Sequence, residues 1–174
     1  LYTNGADAEY GAGSAGMQFD YIKGIENQSY RYTNTKDYIN YHFKRVPGFF
    51  DIVLYTGTGS AQNISHNFGV VPEMMLVKNR SSAYSWMVYH SGLGATKYLR
   101  LNTNGVLVTH AEAWNDTAPT SSVFTVNNDG ATNNSGDDFV AYLFATVAGI
   151  SKVGSYTGTG NDINVDCGFS SGAR

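Results

Sequence analysis

Short apolar stretches separated by turns run along this 174-residue chain. Residues 84–90 and 97–101 alternate between apolar and polar, which is typical of a strand with one buried face. Residues 73–78 form a continuous apolar stretch, which is typical of a strand buried on both faces. The dipeptide Asn104-Gly105 predicts a hairpin that pairs residues 97–101 with residues 106–110. No stretch combines the apolar spacing and the caps of an amphipathic helix, so the pattern predicts an all-β protein.

The same signals predict further strands in both halves of the chain. They cover residues 17–22, 38–43, 49–55, 63–68, 123–126 and 139–147. The first 16 residues are rich in Gly, Ala and Asn, and we expect a loop or an extended arm there. Many short strands with regular turns are typical of sandwiches and barrels, and we expect antiparallel β-sandwiches of the jelly-roll or lectin-like kind.

A pattern of residues occurs twice, 101 positions apart and without a gap. Residues 37–69 align with residues 138–170, and 12 of these 33 positions are identical. The longest identical segment is Tyr55-Thr56-Gly57-Thr58-Gly59, which returns as Tyr156-Thr157-Gly158-Thr159-Gly160. A period near 100 residues is the size of a small domain rather than of a short solenoid repeat. The repeat therefore predicts β-sandwich modules joined in tandem.

The repeat also predicts the domain boundaries. Residues 1–50 are expected to hold a loop or arm and the end of a preceding β module, and residues 51–150 one complete module. Residues 151–174 are expected to begin a third module that is cut short, as in a piece of a longer polypeptide. Strand 38–43 fits either side of the first boundary.

Composition and charge narrow the class of partner. Charged residues make up 14% of the chain, against about 25% in typical proteins. The net charge of -3 argues against a nucleic-acid partner, which would favour a basic patch. No apolar run approaches the ~18 residues of a membrane helix, so we expect no membrane insertion. Cys167 is the only cysteine, which excludes an internal disulfide and a zinc site built from cysteines.

Residues for catalysis or for metal binding do not form a known pattern. The four histidines lack the spacing of metal ligands; they are His42, His66, His90 and His110. No carboxylate pair stands out as a glycosidase pair, and no serine lies in a nucleophile elbow. Asp129, Asp137 and Asp138 lie near turns but lack the order of a calcium loop. We therefore expect no enzyme activity, no catalytic residues, no cofactor and no metal.

The segment Trp114-Asn115-Asp116 is the best candidate for a binding feature. An exposed indole ring can cover the apolar face of a sugar, and the neighbouring amide and carboxylate can bind its hydroxyl groups. The alternative interpretation is a tryptophan that covers the end of the sandwich, with Asn115 and Asp116 capping a turn. The sequence predicts a glycan contact at these three residues and leaves the alternative open.

Five segments resemble one family of proteins. They are residues 47–59, 64–72, 88–96, 114–120 and 139–145, which include Pro47-Gly48-Phe49-Phe50-Asp51 and Val88-Tyr89-His90-Ser91-Gly92. They are similar to the repeated β-rich module of uncharacterised, tail-fibre-like structural proteins of marine tailed phages, notably phages of cyanobacteria. The resemblance covers residues 37–174 and brings no catalytic residues with it.

The resemblance implies a virion protein on the surface of the particle, most simply a tail fibre or another appendage that contributes to host attachment. Its partners would be other virion proteins and a host-surface glycan, and we expect a homo-oligomer, for which a trimer is one form. The alternatives are a capsid decoration protein and a non-catalytic carbohydrate-binding module of a secreted bacterial protein.

Overall fold

The computed structural model describes residues 5–8, 18–21, 24–26 and 43–170. The chain divides into two compact units, one of residues 9–43 and one of residues 1–8 with 44–174. In the smaller unit, strand β1 (Gln18–Tyr21) pairs antiparallel with β2 (Gly24–Glu26), in agreement with the strand predicted at 17–22. The strand predicted at 38–43 lies outside the described residues, apart from Phe43.

The larger unit is built on one antiparallel sheet of six strands. In spatial order these are β3 (Phe50–Thr56), β10 (Asp138–Phe144), β5 (Met74–Asn79), β6 (Met87–His90), β7 (Lys97–Arg100) and β8 (Val108–Thr109). Strand β10 lies between β3 and β5, with Ala141 opposite both Val53 and Val77. The first and last strands of the unit are therefore neighbours, and β10 closes the domain.

One face of this sheet carries the hydrophobic core. Alternate residues of the central strands point to that face, and they include Phe139, Ala141, Leu143, Val77 and Met75, each at most 1% exposed. Strands β4 (Gln62–Ser65) and β9 (Val123–Val126) form a second antiparallel sheet, and Ile64, Phe124 and Val126 of this pair join the same core. Two single-turn helices, α1 (Ala111–Trp114) and α2 (Gly130–Asn133), cover the rest of the core face.

The prediction of antiparallel β sheets is confirmed, since the fold is mostly β. The prediction of an all-β protein without helices is wrong at α1 and α2, and several further details differ. The described strands of the larger unit form a sheet of six and a sheet of two, instead of the two matched sheets expected of a sandwich. The hairpin at Asn104-Gly105 is looser than predicted, because β7 and β8 are separated by residues 101–107. The predicted long strand 139–147 ends at Phe144.

The described residues form a single domain of about 120 residues, and no second copy of it is present among them. The predicted tandem arrangement is therefore not evident. Residues 151–170 contain no strand and are mostly exposed. The boundaries at 50 and 150 stay a prediction.

Each copy of the repeat nevertheless contains a turn with the same backbone geometry, at residues 46–50 and 147–151. The Phe50 N–H donates to the Val46 carbonyl at 3.1 Å, and the Ser151 N–H donates to the Val147 carbonyl at 2.9 Å. The returning bond, from residue 46 to 50 and from 147 to 151, is 3.0 Å long in both copies. Gly48 and Gly149 hold φ angles of 76° and 74°, which favour glycine. The sequence repeat thus corresponds to a repeated local structure at both ends of the domain.

Candidate functional site

Trp114 is buried, contrary to the expectation of an exposed ring. Helix α1 directs the Trp114 side chain into the core, where the indole is 1% exposed. Its ring meets the Tyr89 ring edge to face, with 5.9 Å between the ring centroids. Trp114 therefore covers the end of the core, which is the alternative interpretation that the sequence left open. The expectation of an exposed ring on which a sugar could stack is wrong. A sugar cannot reach the face of this ring without local unfolding.

Asn115 and Asp116 form a strained turn directly after α1. Their φ angles are 53° and 47°, and left-handed conformations of non-glycine residues at two consecutive positions are uncommon. The Asn127 amide donates to Asn115 Oδ1 at 3.1 Å, and the Thr117 hydroxyl donates to the Asn115 carbonyl at 2.7 Å. These bonds hold the turn and engage the Asn115 side chain. Asp116 stays exposed, and whether this loop binds a glycan remains a prediction.

The described surface has a cleft of about 220 Å3 next to β6 and β7 of the six-stranded sheet. Three buried side chains, Met87, Tyr98 and Ala131, form its floor, each less than 7% exposed. Its rim is polar and half-buried or exposed, and it consists of Tyr84, Ser85, Arg100 and Asp129. The arrangement of a small apolar floor and a polar rim is typical of small-ligand sites.

Three of the four rim side chains are positioned by a neighbour within the domain. Arg100 Nη2 donates to the Tyr98 hydroxyl at 3.1 Å, and the guanidinium carbon lies 5.5 Å from the centre of the Tyr98 ring. Asp129 caps α2, since its Oδ1 accepts from the Ala131 N–H at 2.8 Å. The Tyr84 hydroxyl lies against Gly130, where a β-carbon would come within 2.6 Å of that oxygen. The cleft is therefore set by the fold before any ligand binds.

The cleft carries both signs of charge. Arg100 is a permanent cation, and Asp129 contributes a carboxylate whose Oδ2 lies 3.8 Å from His110 Nδ1. His110 Nε2 in turn lies 3.5 Å from the Glu112 carboxylate. A ligand that fits here needs hydrogen-bond donors for Asp129 and an acceptor, preferably charged, for Arg100.

A family model for a domain of unknown function, DUF7483, matches residues 50–171. The chain belongs to this family. The match begins at the first residue of β3, so it covers residues 50–69 of the first copy of the repeat and all of the second copy. No curated protein and no solved structure matches the chain. The family description assigns no function, so the residues themselves have to carry the argument.

A histidine and an aspartate are buried side by side near the start of the DUF7483 match. His66 is 7% exposed and lies parallel to the Phe124 ring, with 6.3 Å between centroids. Burial lowers the pKa of His66, and the nearby Asp51 carboxylate partly opposes that shift. Asp51 forms an ion pair with Arg45 at 2.6 Å, just before the turn that leads into β3. The ion pair fixes the turn to the domain.

A second polar network lies around a buried lysine at the end of β5. Lys78 is 0% exposed, and its ammonium donates to the carbonyls of Asn79 at 2.5 Å and Ala6 at 3.2 Å. Burial lowers the Lys78 pKa. Hydrogen bonds from the amides of Asn79 and Asn134, both 2.8 Å long, lower the pKa of Asp137. All these partners are backbone or amide groups, which indicates a structural role.

The other predicted chemistry is distributed over the domain. No group of three or more His, Cys, Asp or Glu side chains in the described residues could hold a metal ion. Asp129 lies in the cleft, Asp137 in the amide network, and Asp138 accepts from the Thr56 hydroxyl at 3.2 Å. His42 lies outside the described residues, and the Cys167 thiol is exposed. None of the helices in the described part is long and apolar enough to cross a membrane.

The cleft could not be located from sequence. Tyr98 and Arg100 share a face of a short strand by alternation, which is a weak signal. Tyr84 comes from the loop before β6, and Asp129 comes from the loop before α2, 45 residues further along the chain. Nothing in the local pattern of these residues indicates that they meet.

Proposed function

We propose that this DUF7483 domain is a non-catalytic structural module of a tailed-phage virion, located in a tail fibre or similar surface appendage that contributes to host attachment. The observation that carries the proposal is the turn at residues 46–50, which recurs at 147–151 with the same hydrogen bonds and the same glycine conformation. A domain that has the same turn before its first strand and after its last strand is suited to connection in series. An appendage gains length from such serial modules. The family resemblance stated above supplies the virion as the setting.

Residues 151–170, which follow the second turn, retain apolar residues that a following module would bury. Val165 and Phe169 occupy the positions of Ile64 and Phe68, which are 6% and 0% exposed in the first copy. Tyr156 occupies the position of Tyr55, whose ring stacks on Phe139, yet Tyr156 is 71% exposed. Apolar residues are thus kept at core positions where this domain offers no core. We infer that residues 151–170 supply the first two strands of a next module.

We expect a second domain to form when residues 1–170 are followed directly by a second copy of residues 70–150. Residues 151–170 would then lie beside equivalents of β10 and β9, as residues 50–69 do here. Hydrogen-exchange mass spectrometry should show slow exchange in residues 151–170 of the extended chain and fast exchange in the 174-residue chain.

Two substitutions in the extended chain provide a matched control. Val165→Asp places a carboxylate at the equivalent of buried Ile64 and should abolish the slow exchange. Ile163→Gln also replaces an apolar residue by a polar one two residues earlier, but it introduces the residue that the first copy has there, Gln62, whose amide donates to Asn133 Oδ1, and it should leave the protection in place. Equal exchange rates with and without the extension would contradict serial docking.

Antibodies raised against the domain should label the tails or appendages of phage particles in immunogold electron microscopy. We propose that the domain assembles there with other virion proteins and as a homo-oligomer. Labelling of the head would instead favour the capsid decoration protein. Absence of label on particles, together with secretion by a bacterial host, would favour the carbohydrate-binding module.

A further inference from the structure

A role in stabilising the fold does not explain why the cleft between Tyr84, Arg100 and Asp129 has this set of side chains. Arg100 is exposed, and its described polar contact is to Tyr98 alone, so most of its N–H groups face solvent. Tyr84 makes no hydrogen bond through its hydroxyl within the described residues, although the side chain is half-buried. Arginine guanidinium groups and tyrosine hydroxyls that are held in place and keep free hydrogen-bond donors are common in ligand sites.

We propose that this cleft binds a single pyranose ring that carries a carboxylate, as in a hexuronic acid residue of a glycan. The inference rests on the attachment role proposed above and names the ligand class for it. Three features of the cleft select this class: its size, its aromatic surface and its pair of charges.

Size limits the ligand to one ring. The volume of about 220 Å3 is below the roughly 300 Å3 at which pockets for larger small molecules begin. The floor of Met87, Tyr98 and Ala131 is buried, so the half-buried Tyr84 ring at the rim provides the apolar surface for the C–H face of a sugar. A flexible aliphatic chain would gain the same apolar contact, but it would use neither rim charge.

The charges select an acidic sugar over a neutral one. The guanidinium of Arg100 presents parallel N–H groups that match the two oxygens of a carboxylate. Asp129, which lines the same cleft, provides a hydrogen-bond acceptor for sugar hydroxyl groups in Oδ2, whose distance to His110 Nδ1 is 3.8 Å. A neutral sugar would offer Arg100 no anionic partner, whereas a hexuronic acid offers a carboxylate to Arg100 and hydroxyl groups to Asp129. The geometry therefore favours the acidic ring.

Titration of the full chain with the methyl glycoside of glucuronic acid, followed by NMR, tests the proposal. Saturable shifts should appear for residues of the cleft, with millimolar affinity at low salt and weaker affinity as salt increases. The methyl glycoside of glucose, which lacks the carboxylate, should bind at least tenfold more weakly.

Variants on β7 distinguish binding by the cleft from a general effect of positive charge. Arg100→Ala should reduce affinity for the glucuronide at least tenfold, and Arg100→Lys should restore only part of it because the fork is lost. Lys97→Ala removes one positive charge from the same strand but from its opposite face, and it should leave affinity unchanged. Tyr84→Phe, which keeps the ring, should cause a smaller loss than Arg100→Ala.

The outcomes distinguish this inference from the proposed function. Equal binding of glucoside and glucuronide would overturn the acidic-sugar claim and leave glycan attachment standing. Shifts that depend on Arg100 for a free amino acid but for neither sugar would assign the cleft to a zwitterion instead. No saturable shift with any of these probes would remove the cleft as a site, and labelling of phage particles would still decide the virion role.

Discussion

Gly57→Ala is expected to destabilise the domain severely, whereas Gly158→Ala should leave the stability of the same chain unchanged. A β-carbon at Gly57 would lie 2.2 Å from the Asn134 carbonyl oxygen and 2.8 Å from the Phe139 ring. At Gly158, no atom lies within 4 Å of the corresponding position. The two glycines lie in identical pentapeptides, so the comparison holds local sequence constant.

The backbone around Gly57 cannot move aside easily. The Gly57 N–H donates to the Asp137 carbonyl at 2.8 Å, and its own carbonyl accepts from the Gly136 N–H at 2.9 Å. Overpacking a well-packed core costs about 1–3 kcal/mol, and a clash with fixed backbone lies at or above the upper end of that range. We therefore expect a loss of at least about 3 kcal/mol in the free energy of unfolding, from urea titration followed by tryptophan fluorescence.

The same pair connects stability to the proposed serial arrangement. In the chain extended by residues 70–150, Gly158 would contact a second equivalent of Asn134, and Gly158→Ala should then prevent the second domain from folding. Equal stability of the two single variants in the 174-residue chain would contradict the close approach at Gly57. A harmless Gly158→Ala in the extended chain would contradict docking of residues 151–170.

This pair also shows how far sequence alone reaches. The repeat is visible in the sequence, and the structure has the same turn at Val46 and at Val147. The pentapeptides around Gly57 and Gly158 are identical, yet one is paired with the 130–137 loop and the other is exposed. Their difference depends on β10 and its loop, which are distant in sequence. Local pattern therefore predicts the turn but not whether a partner is present.

Periodicity located the strands well where burial is strict. The stretch predicted at 73–78 agrees with β5 to within one residue, because its side chains are half-buried or buried on both faces. Lys78 fits this stretch because backbone carbonyls bind its ammonium, which no pattern of residue types indicates. Helix α1 has four residues, too few to show a helical period, so the sequence does not predict that Trp114 lies on a helix.

Trp114→Ala should lower the free energy of unfolding by about 3–5 kcal/mol, the usual cost of truncating a buried tryptophan. The ring fills the end of the core against Tyr89, and its removal leaves a cavity that the strained turn at Asn115 and Asp116 cannot close. Denaturant titration followed by circular dichroism measures the loss, since the variant lacks one of two tryptophans.

Trp114→Phe is the matched variant, because it keeps an aromatic ring in the core and should lose less stability than Trp114→Ala. Under conditions where both variants are folded, each should retain the affinity of the cleft for the glucuronide, because Trp114 is not one of its lining residues. The opposite result, full stability with loss of glycan binding in Trp114→Ala, would show that the ring is exposed and contacts the sugar. Since the indole is 1% exposed, its effect on attachment should pass through folding alone.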